Sequence, residues 1–246
     1  MEFGTRARRL AAGWTVVLLL AACGGGGDAP LTFTGWSGTA GGNRDLTAVV
    51  LPNGTYYLLY AAAGDPATVG GVVQGTATLD KGSFSSADAL DFSAEGAGIR
   101  ASGVAASYDP AGSFQGTVTP TAGGTALDFQ ATQPRTNWVP AGLPALVGSY
   151  GGTAGFALGV RQAVFTVTAS GAVSSSINGC AITGTAAPRS DGDAYDLTLT
   201  FGPSPCALPG LAFAGIAFLR PDNGRLYAAA RNTATRQSVI FNGARQ

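Results

Sequence analysis

The chain has 246 residues, is only 11% charged with 14 basic and 14 acidic side chains, and contains 38 glycines and no histidine. Without histidine, the commonest general base, the Ser-His-Asp and Cys-His arrangements and most zinc sites are excluded. No basic patch stands out, so nucleic acid is not an expected partner, and neither is a metal or cofactor.

In chain order, the first element is a leader. Arg6, Arg8 and Arg9 precede an apolar run from Leu10 to Leu20, the layout of a secretory signal peptide. As a helix this run would rise only about 15–18 Å, against about 30 Å of bilayer hydrocarbon. Leu20-Ala21-Ala22-Cys23 resembles the lipobox of bacterial lipoproteins. That resemblance implies cleavage after residue 22, acylation of Cys23 and attachment to the membrane through it. Gly24 follows the cysteine where the family's inner-membrane signal is aspartate, so the resemblance implies the outer membrane. Residues 23–30 then read as the lipidated cysteine and a flexible Gly-rich tether. Removal of residues 1–22 leaves a net charge of about minus two. With Cys23 acylated, Cys180 and Cys206 are left to pair in an oxidising compartment, or else to stay as two buried thiols.

The remainder parses into strands. In residues 31–132 they are expected at Leu31–Gly38, Arg44–Leu51, Thr55–Ala62, Val69–Leu79, Phe84–Ser93, Ile99–Tyr108, Ser113–Thr119 and Thr125–Thr132. Pro134, Pro140 and Pro144 mark residues 133–145 as a linker. In residues 146–246 strands are expected at Val147–Thr153, Gln162–Ala169, Ala172–Ile177, Ala181–Ala186, Ala194–Phe201, Leu211–Leu219, Arg225–Ala230 and Gln237–Asn242. Tyr195-Asp196-Leu197-Thr198-Leu199-Thr200-Phe201 alternates cleanly between apolar and polar, as a half-buried strand does. Pro52-Asn53-Gly54 and Asp222-Asn223-Gly224 supply hairpin turns.

The two halves are weakly alike. Trp36-Ser37-Gly38-Thr39-Ala40 matches Tyr150-Gly151-Gly152-Thr153-Ala154, and Val73-Gln74-Gly75-Thr76-Ala77 matches Ile182-Thr183-Gly184-Thr185-Ala186. Gly112 and Phe129 match Gly224 and Phe241, so all offsets fall near 110 residues and suggest a duplicated unit. The expectation is all-β: two tandem antiparallel eight-stranded meander barrels, or flattened barrels or sandwiches, after a signal peptide and tether.

Tyr56-Tyr57-Leu58-Leu59-Tyr60 is apolar on both faces. Its outer face is expected either to pack against the linker around Trp138 or the second barrel, or to form a partner-facing patch of Tyr56, Tyr57, Tyr60 and Trp138. Asp191, Asp193 and Asp196 lack the full calcium-loop pattern and read as a polar hairpin turn. Asp88 and Asp91 fall on opposite faces of one strand and, with Glu95, read as solvated acids. The only lysine, Lys81, reads as a solvated turn residue. Gly96-Ala97-Gly98-Ile99-Arg100-Ala101 opens a strand rather than a helix, so it is no dinucleotide fingerprint.

In its tandem eight-stranded layout after a Cys-Gly-rich tether, the chain is similar to surface lipoproteins of the transferrin-binding and factor-H-binding type. The likeness covers architecture and tether and carries over no binding residue. It implies a non-catalytic, outer-membrane-anchored binding module with an envelope or extracellular protein partner. The alternatives are a lipocalin-like carrier of a small apolar ligand, and an envelope immunity or inhibitor lipoprotein.

Overall fold

The computed structural model describes residues 1–2, 32–135, 138 and 141–246. The expected leader, Cys23, the expected glycine tether and the expected strand start at Leu31 lie outside the described residues.

The first half contributes β1 (Thr34–Ala40), β2 (Arg44–Val50), β3 (Thr55–Ala62), β4 (Asp65–Thr76), β5 (Thr78–Asp80), β6 (Ser83–Ser93), β7 (Gly98–Tyr108), β8 (Ser113–Pro120) and β9 (Leu127–Thr132). They pair in the order β4-β3-β2-β1-β9-β8-β7-β6, and β4 pairs with β6 to close an eight-stranded antiparallel ring. The single strand expected at Val69–Leu79 is in fact β4 and the three-residue β5. At the break the Thr76 amide donates to the Asp88 carboxylate (2.9 Å), and β6 carries a register shift between Ser86 and Ala89. One side-chain acceptor thus replaces a ladder bond and lets the strand bend.

A helical turn, α1 (Leu143–Leu146), follows at the end of the expected linker, with a proline in its first turn. Then come β10 (Gly148–Phe156), β11 (Gly159–Val167), β12 (Ala172–Ile177), β13 (Cys180–Pro188), β14 (Tyr195–Phe201), β15 (Ala212–Leu219), β16 (Leu226–Arg231) and β17 (Ser238–Arg245). These form a closed barrel in sequential order. Ring closure decides for barrels against sandwiches, because it leaves no edge strand exposed.

Strand alternation fills both interiors. In the first barrel Trp36, Tyr56, Phe84, Phe114 and Phe129 pack in a chain of tilted and edge-to-face contacts with centroids 4.9–5.0 Å apart. The second is filled by Phe165, Leu197, Leu199, Phe213, Phe241 and their neighbours, with Leu146 of α1 buried among them. A wholly apolar cavity of about 30 Å³ remains at its centre.

A third apolar cluster joins the barrels. Val49, Tyr57, Leu59, Val72 and Phe92 from the first pack on Ile216, Phe218, Tyr227, Ala229 and Ile240 from the second. Polar bonds cross the same seam. Gln74 Nε2 donates to Ser238 Oγ (2.8 Å), and the Val69 amide donates to Thr153 Oγ1 (3.0 Å).

Candidate functional site

The tyrosine-rich strand does not present a surface patch. Tyr56 and Tyr60 point into the first barrel, while Tyr57 lies in the seam beneath the second. All three are buried. Trp138 is half-buried against the same seam, edge-on to Phe33 and Phe218 at 5.3 and 5.7 Å. The expected partner-facing patch of Tyr56, Tyr57, Tyr60 and Trp138 is therefore overturned. The physical reason is that the second barrel covers the outer face of β3, removing that apolar area from water.

Cys180 and Cys206 form a disulfide with Cα atoms 4.5 Å apart. It ties the β14–β15 loop to the start of β13. Asp191 and Asp196 both pair with Arg189, which raises the arginine's affinity for its proton, chiefly through the Asp191 bond. Among the described residues no three His, Cys, Asp or Glu side chains gather where they could hold a metal ion. Lys81 sits at a turn with φ of 47°.

Asp91 departs from expectation. It is 2% exposed rather than solvated, and it accepts from Tyr60 Oη (2.8 Å) and from Arg100 Nη2 (2.5 Å). Nearby, Arg44 pairs with Glu95 of the β6–β7 turn, donates to the Ala61 carbonyl (3.1 Å) and lies 5.8 Å over the Tyr60 ring. These charges plug one end of the first barrel, although Arg100 Nε and Ser102 Oγ in this region are buried without hydrogen-bond partners. Burial, reinforced by the Asp91 charge, raises the Tyr60 pKa.

The corresponding end of the second barrel is open. A cavity of about 170 Å³ lies there, floored by buried Phe156, Ile177, Ile182 and Phe201 and rimmed by exposed Leu158, Arg161, Asn178 and Pro205. Leu158 is 63% exposed at the β10–β11 turn. The disulfide-pinned loop forms one wall, through Pro205, Ala207 and Leu208. This is the concave, apolar and sparsely polar kind of site that small ligands occupy.

A buried cation, Arg220, was also not singled out from the sequence. Arg220 pairs with Asp45 across the seam and with Asp222 beside it (2.8 Å), and donates to Thr47 Oγ1 (3.1 Å). Burial opposes its charge, but the bonds to Asp45 and Asp222 outweigh that and raise its pKa. No local pattern marks Arg161 or Arg220. Their roles depend on which strands the rings bring beside them.

No protein-family model matches the chain, and no curated protein matches it significantly. Among solved structures, it is similar to isotype 1 transferrin binding protein B from serogroup B Neisseria meningitidis. That match has 11% identity and a TM-score of 0.30, and covers 82% of this chain and 66% of the other. The chain thus spans just under two thirds of that protein's length. It is also similar to a Bacteroides fragilis NCTC 9343 protein provisionally named an outer membrane protein. There the identity is 12% and the TM-score 0.30, with 88% of this chain and 98% of the other covered.

Proposed function

We propose that the chain is a non-catalytic binding module anchored to the outer membrane through an acylated Cys23. The lipobox-like Leu20-Ala21-Ala22-Cys23 and the glycines after it support the anchor and its spacer. One observation carries the binding role. Both barrels are filled with side chains and are fused across a continuous apolar and ion-paired seam. Such a body is a rigid scaffold, and it leaves its turns and barrel ends as the parts that can recognise an envelope or extracellular protein. A carrier enclosing its ligand deep within the second barrel is not favoured, since the 30 Å³ left there admits only about two waters.

Two measurements test this reading. Metabolic labelling with a radioactive fatty acid is expected to mark the chain and to fail for Cys23→Ala. Affinity capture from intact envelopes is expected to recover one stoichiometric protein. An unlabelled wild-type chain overturns the anchor, and capture that returns no specific protein overturns the binding role.

A further inference from the structure

The geometry points to a second binding function: the open end of the second barrel takes a small carboxylate whose apolar body is about the size of one ring. The observation is an internal comparison. Gly38 of β1 pairs with Leu46, and Ala40 with Arg44. In β10, Gly152 pairs with Ala163, and Ala154 with Arg161. The repeated stretches Trp36–Ala40 and Tyr150–Ala154 therefore place Arg44 and Arg161 at the same point of the two rings.

The comparison extends round the barrels. Asp91 pairs with Val73, and Phe201 pairs with Ile182; Val73 and Ile182 open the other repeated stretch. Asp91 pairs in turn with Arg100, whereas the Phe201 amide bonds to the carbonyl of Leu211. Tyr60, two residues beyond Leu58 in β3, corresponds to Ile177, two beyond Ser175 in β12. So three positions that form a polar plug in the first barrel, Tyr60, Asp91 and Arg100, are Ile177, Phe201 and Leu211 in the second. The loop matching the Glu95 turn, residues 202–211, contains no acid. Only the arginine is retained.

Arg44 has Glu95. Arg161 has no carboxylate among the described residues and donates only to the neighbouring Val160 carbonyl (2.8 Å). The turns at this end of the second barrel, 156–159, 177–180, 202–211 and 232–237, hold no Asp or Glu, while Arg231 and Arg236 add positive charge. A cation facing an apolar floor, on turns of its own barrel that carry no acid, selects an anion that brings its own apolar body. The cavity of about 170 Å³ is comparable to the roughly 150 Å³ that accepts benzene in an engineered apolar core. That limits the body to about six carbons. In the complex, the carboxylate would take the place that Glu95 fills in the first barrel.

The test titrates the full chain carrying Cys23→Ala, so that its result is independent of the anchor. Benzoate and hexanoate are compared with benzyl alcohol and hexanol by amide chemical shifts. The acids are expected to saturate, with shifts confined to residues 178–180 and 206–208. The alcohols are expected to bind about tenfold more weakly, the scale of a lost charge-assisted bond. Arg161→Gln should impose the same loss on the acids, Arg161→Lys should recover part of it, and Ala207→Glu should abolish acid binding by supplying a carboxylate in cis. Dodecanoate should bind no more tightly than hexanoate. The inference is overturned if no probe saturates, if Arg161→Gln binds acids as the wild type does, if acids and alcohols bind equally, or if only a peptide with an apolar C-terminal residue binds.

Discussion

Asp91 and Phe201 stand on the same rung of two related rings, and the difference between them sets the character of each barrel end. Asp91 brings Tyr60 and Arg100 into a buried cluster, whereas Phe201 floors a cavity. The buried phenols have a consequence for pH. Burial is the largest cause raising the pKa of Tyr56, Tyr57 and Tyr60 alike. In the unfolded chain these groups ionise near pH 10, but the folded protein holds their protons more tightly. Their contribution to stability is therefore complete below about pH 10 and is lost as pH rises above it, because the unfolded state then releases protons that the folded state retains. Urea denaturation across pH 7–12 is expected to show a level free energy and then a fall beginning near pH 10. Phenolate absorbance at 295 nm from these residues should grow only as the chain unfolds. The sequence made the two-faced apolar character of Tyr56–Tyr60 legible. It left open whether the linker, the second barrel or a partner covers the outer face; the structure shows the second barrel and Trp138 there.

At the scale of elements, most strands could be read from alternation and from turns such as Pro52-Asn53-Gly54, where Gly54 takes φ of 81°. The β10–β11 hairpin was less legible, and both strands run three residues further into the turn than expected, because that turn is the apolar pair Ala157-Leu158. Helix α1 was hidden within a proline-marked linker because it is a single turn whose one buried residue, Leu146, packs into the interior of the second barrel. Two glycines expose the cost of closing a ring. A Cβ on Gly38 would run into the carbonyl oxygen of Gln130, and one on Gly152 into that of Asn242. Both would strike the last strand of their own barrel. Gly152→Val is therefore expected to lower stability by about 1–3 kcal/mol through overpacking where β10 meets β17, read as a fall in the thermal midpoint. Gly103→Ala, where the added atom meets only an ordinary contact at 3.5 Å, is expected to leave it nearly unchanged. The Cys180–Cys206 bridge spans 26 residues, and its loss in Cys206→Ser should cost about 3.5 kcal/mol in the chain-entropy description. Hydrogen exchange in residues 202–210 should then rise first, as the wall of the cavity loosens.

For the whole molecule, the seam determines whether two barrels behave as one body. Arg220 is the ion-paired link, its side chain 7% exposed and bonded to Asp45 of the opposite barrel. Removing one partner of a buried pair leaves the other charge uncompensated, at a cost of about 3–5 kcal/mol. Wild-type protein is expected to unfold in a single calorimetric transition. Arg220→Ala should lose roughly 3 kcal/mol and separate the transition into two, one for each barrel. A variant that stays monophasic with an unchanged midpoint would show that the apolar cluster alone couples the barrels.

The fold class was determined by the sequence itself, because period-two alternation and turn chemistry are local properties of a few adjacent residues. The internal likeness was legible for the same reason: its matched segments, Trp36–Ala40 with Tyr150–Ala154 and Val73–Ala77 with Ile182–Ala186, fall on equivalent strands of the two rings. Only the tertiary structure decided that β4 meets β6 to close the first ring, that the tyrosine strand is covered, and that Arg161 lacks the carboxylate Arg44 possesses. Each of these depends on residues far apart in the chain being brought together, and turns of unequal length conceal such correspondences from a linear offset. Ala40 and Arg44 are four residues apart and Ala154 and Arg161 are seven, yet both are cross-strand pairs.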